Sequence, residues 1–295
     1  MPDTSAAIRP EFGAGGAART RQRSRRLMNL RPDRGTALIL GALPFGLLLV
    51  VYLIASGARL ADNPSDKLLP AFASFGSAIQ RMAFQPDSRS GDYLLWVDTA
   101  ASLWRLGLGL GIATLCGLVF GIAIGVLPFV RAGLAPLVGV FSLIPPMAIL
   151  PILFITFGLD ELSKVMLIVI GITPFLIRDL SGRVLEMPGE LLIKAQTLGG
   201  STWQIVLRVV LPQMLPRLIE AVRLSLGPAW LFLISAEAIA ATSGLGYRIF
   251  LVRRYLAMDV ILPYVAWITF LAFLLDFGLR VLSARCFPWI ARNAR

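Results

Sequence analysis

Six apolar runs, parted by shorter polar stretches, give this chain its pattern: Thr36 to Ser56 ("TALILGALPFGLLLVVYLIAS"), then 106–130, 133–158, 165–177, 218–241 and 260–283. A helix needs about 20 apolar residues to cross a bilayer, so the pattern predicts an all-α polytopic membrane protein with six transmembrane helices. The first run ends in "IASGA", which resembles the cleavage site of a secretory signal. Its apolar stretch is longer than the usual core of about 7–15 residues, which favours an uncleaved anchor. Between the first two runs, "KLLPAFASFGSAIQRMAF" spaces Leu69, Phe72, Phe75 and Ile79 as on one helical face. That predicts an amphipathic helix lying on the membrane surface, or simply a packing face.

Two of the runs carry irregularities. In the second, glycines stand at 107, 109, 111, 117, 121 and 125, the last three as Gly-xxx-Gly-xxx-Gly. Two readings stand side by side: a seam that lets another helix approach closely, or the ordinary filler of a membrane helix. In the third, Pro145, Pro146 and Pro151 each remove a backbone donor. Freed backbone groups are tolerated in a membrane only where protein or a water-filled cavity covers them. The third run is therefore expected to face other helices or a pathway, and Ser142 and Met147, flanking the break, are its candidate lining.

Composition agrees with the pattern. The chain is 57% hydrophobic and 15% charged, less charge than a soluble domain of 295 residues carries. It contains no histidine, which removes the commonest general base and the commonest metal ligand. Cys116 and Cys286 lie far apart and fit no metal spacing, so neither a metal nor a disulfide is expected. The net charge of +11 reads as topology-setting charge and not as a nucleic-acid surface. Residues 1–35 hold eight arginines and are expected to form a disordered basic cytoplasmic tail. With the N-terminus inside, the larger share of Lys and Arg falls on the cytoplasmic side, much of it supplied by the tail. The expected organisation is that tail, an anchor at 36–56, a periplasmic or interfacial segment at 57–104, a core at 105–285 and a cytoplasmic tail at 286–295. The core carries a cytoplasmic loop at 186–216.

That loop is the most informative stretch. "MPGELLIKAQTLGG" reads as a short helix with Pro188 in its first turn and Gly199–Gly200 as its terminator. Ser201 with Gln204 three residues on predicts a capping box opening a second helix. On it Trp203, Val206 and Val210 share a face, and Pro212 marks an end or a kink. Two short helices about a glycine joint make a rigid protrusion suited to another protein's groove.

The spacing resembles the cytoplasmic loop of the binding-protein-dependent ABC transporter permeases: Glu-Ala-Ala, three residues, Gly, nine residues, Ile, one residue, Leu-Pro. Ala195, Gly199, Val209, Leu211 and Pro212 fall on that pattern, and Gly200 extends the joint. Ile193 and Lys194 stand where the family has Glu and the first Ala, so the loop's acidic contact is missing unless Glu190, one turn earlier, supplies it. The resemblance covers about residues 67–283. It is nearest to the nitrate/sulfonate/taurine group, through "TLGGSTWQIVLRVVLP" and "SAEAIAATSGLGYRIF". "NPSDKLLPAF" and "KAQTLGGSTWQ" are also similar to permeases found near urea-carboxylase genes.

The resemblance implies the type I (MetI-like) ABC importer architecture and a multi-pass transport subunit of a bacterial inner membrane, not an enzyme. It implies a cytoplasmic ABC ATPase, an external substrate-binding protein and a second permease copy as partners, a homodimer by default, set in membrane lipid. No cofactor is expected on the chain itself. It has no Gly-x-x-x-x-Gly-Lys-Ser/Thr phosphate loop, so ATP would be bound by the partner. The implied cargo is a small polar solute, nitrate-, sulfonate- or taurine-like, or urea- or guanidine-like.

Charges inside the runs narrow the candidates further, because they are costly there and are paired or face a pathway. Glu220 and Arg223, three apart, are expected to pair with each other, and Asp276 with Arg280. Glu237 is deep and without a sequence neighbour to pair with. It either lines the pathway opposite Ser142 and Met147 or accepts backbone N–H groups of the 243–247 loop. No deep Lys or Arg is expected to meet an anion. A secondary transporter would show repeated halves with matching broken helices, and none is seen. A membrane-embedded enzyme would need a clustered acid, base or metal constellation, which scattered carboxylates without histidine do not make.

Overall fold

Long apolar stretches without solvent to satisfy their backbone must fold as helices, and among the described residues every regular element is one. The structure is a computed structural model and describes residues 32–63, 66–88 and 90–289, so 1–31 of the expected tail at 1–35 and the last six residues lie outside the described residues, while Arg34 and Gly35 are helical. The chain divides into two units, residues 1–53 and 54–295. Helix α1 (Arg34–Asp62) is apolar on every side, the mark of a lipid-facing span.

In the second unit α2 (Phe72–Phe84) precedes α3 (Leu94–Val126), α4 (Pro128–Phe141), a 3₁₀ turn (Pro146–Ile149), α5 (Leu150–Phe157) and α6 (Glu161–Leu185). Then come α7 (Gly189–Thr197), α8 (Thr202–Ile205), a π turn (Val206–Val210), α9 (Leu211–Ala240), α10 (Leu245–Arg253) and α11 (Met258–Cys286). Five helical runs are long and apolar enough to cross a membrane: α1, α3, α6, the continuous 202–240 run and α11. The pair 128–141 and 146–157, bent by 81°, passes the same test of length and apolarity taken together and makes the sixth when counted as one broken span. The prolines of the third apolar run thus divide it in two. Pro145 adopts an extended conformation and Pro146 opens the 3₁₀ turn.

Several boundaries move. The fourth apolar run, 165–177, is only the middle of α6, which extends eight residues further through Arg178, Asp179 and Arg183. Polar residues ended the hydropathy signal, but the backbone goes on bonding as a helix. Residues 94–104, assigned to the interfacial segment, form the first three turns of α3. On α2 the buried residues are Ala78 and Ala83, while Phe72 and Ile79 are exposed, so the expected apolar stripe does not face the core.

The seam between α3 and α6 organises the bundle, and the glycines of α3 make it. A Cβ on Gly109 would lie 2.7 Å from Ile168, one on Gly117 2.7 Å from Leu176, one on Gly121 2.9 Å from Leu180 and one on Gly125 2.5 Å from Val184. Of the two readings of the glycine pattern, close approach is the one the structure supports. Glycine lets the backbones meet and the α6 side chains fill the notch. Gly107 and Gly111, on another face, meet nothing within 4 Å. Arg131 closes the end of α3 by donating to the Ile124 and Gly125 carbonyls at 3.0 and 2.5 Å.

Gly125→Ala and Gly117→Ala are expected to destabilise the bundle by about 1–3 kcal/mol through overpacking. Gly111→Ala is expected to be neutral or stabilising by up to about 1 kcal/mol, because it adds helix propensity in open space. Thermal unfolding of the detergent-solubilised variants checks this; equal effects at 111 and 125 would contradict the seam.

Candidate functional site

The segment after α6 is built from local signals. Pro188 sits just before α7, as its N-cap, instead of inside the first turn. The helix stops where Gly199 takes φ +80°, a conformation open to glycine at little cost. Gly199 N–H donates to the Gln196 carbonyl at 2.9 Å and Gly200 N–H to the Ala195 carbonyl at 3.0 Å, satisfying the helix end. A Cβ on Gly200 would stand 2.8 Å from that same carbonyl, so both glycines are needed. The capping box forms as the sequence predicts: Gln204 N–H donates to Ser201 Oγ at 3.3 Å and Ser201 N–H to Gln204 Oε1 at 2.9 Å.

Pro212 neither ends the second helix nor breaks it. Leu211 N–H reaches back five residues to the Val206 carbonyl, and the run continues through a single wide turn into α9. The extra residue rotates the faces: Val210 is fully buried, whereas Trp203 is 69% exposed, so the two do not share a face. Ile205 and Val210 pack with Ile122 of α3, Leu180 and Val184 of α6, and Met214 and Leu218 of α9. Ala195, Val209 and Leu211 pack against the same cluster. Leu198, at the tip, is 88% exposed. The joint thus has an anchored side, joined to the ends of three long helices, and a free side that presents Leu198 and Trp203. Glu190 lies 3.9 Å from Lys194, so its charge is partly answered within α7.

At the bend of the broken span, Ser142 is the C-cap of α4, donating to the Gly139 carbonyl at 2.7 Å and accepting from Arg178 Nη1 at 2.7 Å. Ser142 and Arg178 line a cleft of about 480 Å³ with Pro146, Gly171 and Phe232, and neither Met147 nor Glu237 is among its walls. Met147 sits in the 3₁₀ turn, 37% exposed. Because α6 extends to Leu185, Arg178 stands on the helix that continues the fourth apolar run instead of in a loop.

Glu237 is fully buried, at the end of the bundle away from α7. It accepts from Gly246 N–H at 2.8 Å, which is the loop contact foreseen for it, and from Ser102 Oγ at 2.8 Å and Arg105 Nη1 at 2.7 Å. Arg105 also donates to Glu161 at 2.5 and 2.7 Å and to the Ser243 carbonyl at 2.7 Å. Beside it, fully buried Asp98 accepts from Gly244 N–H at 2.9 Å and Arg248 at 2.8 Å. Gly244 has φ +131°, and a Cβ there would stand 2.5 Å from Glu237 Oε1. Sequence reasoning missed Asp98, Ser102 and Arg105, although their i, i+4, i+7 spacing places three polar groups on one face of an apolar helix. The expected Glu220–Arg223 pair is also corrected. Arg223 turns to Asp276 on α11 at 2.8 Å and Glu220 to Arg217 at 3.4 Å, while the Asp276–Arg280 pair forms at 2.9 Å. The Arg223 and Asp276 side chains are the less exposed, at 24% and 30% against 47% and 51% for Arg217 and Glu220, so the pair across helices is the less screened one.

Comparison with known proteins adds three findings. Residues 114–290 match the family described as binding-protein-dependent transport system inner membrane component. The taurine transport system permease protein TauC of Escherichia coli (strain K12) is 42% identical over 199 residues, 67% of this chain and 72% of that protein. The putative aliphatic sulfonates transport permease protein SsuC of the same organism is 30% identical over 248 residues, 84% of this chain and 90% of that protein. Among solved structures, the MetNI methionine ABC transporter in inward-facing conformations superposes with a TM-score of 0.59 at 22% identity, over 68% of this chain and 99% of that one, which is a likeness of fold.

Removing one partner of a buried ion pair costs about 3–5 kcal/mol, because the other charge stays behind unpaired. Arg105→Leu is expected to lose that much in thermal or denaturant stability, and Arg105→Leu combined with Glu237→Gln to recover part of it. Equal losses in the single and double variants would show that the pair is not the cause.

Proposed function

This chain belongs to the family of binding-protein-dependent transport system inner membrane components, and on that premise we propose how its parts divide the work of import. It is the multi-pass permease subunit of an ABC importer, a transport subunit and not an enzyme, and such a subunit works with an ATPase and a substrate-binding protein. The α7–Gly199–α8 joint is the surface that docks the ATPase. The observation that carries this is the pair of exposed apolar residues, Leu198 and Trp203, on a joint whose opposite side is packed into α3, α6 and α9. Exposed apolar patches on an otherwise polar protrusion mark protein contacts. Push or pull on the joint passes through Ala195, Val209 and Leu211 into those three helices, and Pro212 carries the run on into α9 without a break. The missing glutamate of the family loop leaves apolar contact as the larger part of this docking.

ATP is bound by the partner, with no cofactor on this chain. The N-terminus and α7 lie in the cytoplasm, which puts the Arg105–Glu237 network at the outer face, where the binding protein delivers its load. The solute is small, polar and taurine- or sulfonate-like, the reading supported by the names of the relatives. It passes the bend of the broken span, past Ser142 and Met147. Glu237, enclosed in the network, fixes the outer loop beside that route. Two copies of the chain make the pathway, since one supplies six spans and a single docking joint, and lipid surrounds the pair.

A β-branched residue at φ +80° is strained by about 1–2 kcal/mol. Gly199→Val is therefore expected to re-aim the joint: membrane insertion persists, while ATPase co-purification and ATP-driven uptake into proteoliposomes fall. Unaltered uptake by this variant would count against the joint as the coupling element. Cross-linking in native membranes is expected to trap a pair of permease chains, and a transport-competent monomer would overturn the dimer.

A further inference from the structure

We infer that the cleft at the bend of the broken span is a transit site for the anionic head of the solute, with Arg178 as its cation. This deepens the importer reading above and rests on it.

Arg178 lies seven residues before the end of α6, roughly 10 Å along the axis at 1.5 Å per residue. A charge at the border of an apolar run is costly against lipid, and such residues face a bundle interior or a wet cavity. Its side chain is exposed, and among the described residues it has no ion-pair partner. Asp179, the other charged residue in the cleft wall, is directed to Arg183 at 3.8 Å. The bond to Ser142 Oγ fixes one end of the guanidinium and uses one of its five donors. The remaining fork matches the paired oxygens of a sulfonate or carboxylate.

The walls are shaped for something small. Gly171 has no room for a side chain: a Cβ would lie 2.5 Å from Phe232 and 3.2 Å from Pro146, so both close in over the α6 backbone. The bend supplies irregular backbone, which a membrane tolerates beside protein or water. At about 480 Å³ the cleft is in the range that holds a small solute. With Asp179 drawn to Arg183, Arg178 is the cation left to attract an anion, without a second clamp to hold it, as passage requires.

The test reads charge selectivity at the cleft without any transport step. Cys116→Ser and Cys286→Ser remove the native thiols, and Ile144→Cys places one in the cleft wall. The protein, with its ATPase, is reconstituted in phosphatidylcholine so that no anionic lipid competes. Labelling rates are then compared for the sulfonate reagent (2-sulfonatoethyl) methanethiosulfonate and its trimethylammonium analogue. Asp179 in the same wall offsets part of the field, so the sulfonate is expected to be favoured by up to about tenfold, each rate being taken relative to that reagent's rate with a free thiol. The preference is expected to vanish in Arg178→Gln, to persist in Arg178→Lys and to weaken as salt rises. An equal ratio with Arg178 and with Gln at this position overturns the site. A salt-insensitive ratio overturns it even if Arg178→Gln is not recovered folded. Unaltered uptake in the Gly199→Val experiment would count against the importer reading and leaves this ratio unmoved, so the two failures are told apart.

Discussion

A buried guanidinium cannot be left unanswered in a medium that does not solvate it, and the fold is arranged around that constraint at Arg105. Moving each ion from water into such an interior costs several kcal/mol even after relaxation. Arg105 is answered by Glu237 from α9, Glu161 from the start of α6 and the Ser243 carbonyl of the loop before α10. Asp98, two turns earlier on α3, gathers Gly244, Arg248 and Tyr264 in the same way. Five helices, α3, α6, α9, α10 and α11, therefore meet at one end of the bundle through these groups. Partly satisfied networks of this kind are worse than an apolar core, whereas fully satisfied ones rigidify.

From that fixed end the α3–α6 seam runs the length of the bundle, with glycine notches against Ile168, Leu176, Leu180 and Val184. Close backbone contact makes the two helices one rigid body, since interiors packed at this density do not deform smoothly. Compliance is left to the places where the helical ladder is interrupted: the 81° bend of the broken span and the π turn that joins α8 to α9. Both lie beside the docking joint or the cleft. A movement begun at Leu198 and Trp203 thus has rigid rods to travel along and two defects in which to bend.

Much of this was legible in the residues, and the failures have physical causes. The six apolar runs, the capping box at Ser201 and the turn at Gly199 rest on local rules, and each has its counterpart in the structure. The end of α6 was misread because Arg178 and Asp179 stop the hydropathy signal while the backbone bonds continue. That same misreading hid the cation of the cleft. Trp203 was placed on the wrong face because an α-helical wheel does not count the extra residue of the π turn. Arg223 chose Asp276 over Glu220 because tertiary approach of α9 and α11 brings a carboxylate into line that spacing along one helix cannot reveal. The polar face of Asp98, Ser102 and Arg105 was readable, but it sat outside the stretch taken as a span.

The central claim is that the exposed side of the α7–α8 joint is where the ATPase sits. Its most direct measurement is photo-cross-linking in the assembled transporter from a photoreactive residue placed at Leu198 or Trp203, with Leu159 as a control. Leu159 lies just before α6, at the opposite end of the bundle, and is 63% exposed. The account predicts capture of the ATPase subunit from 198 and 203 and none from 159. Capture from 159, or none from either joint position in an assembled and active complex, would contradict it.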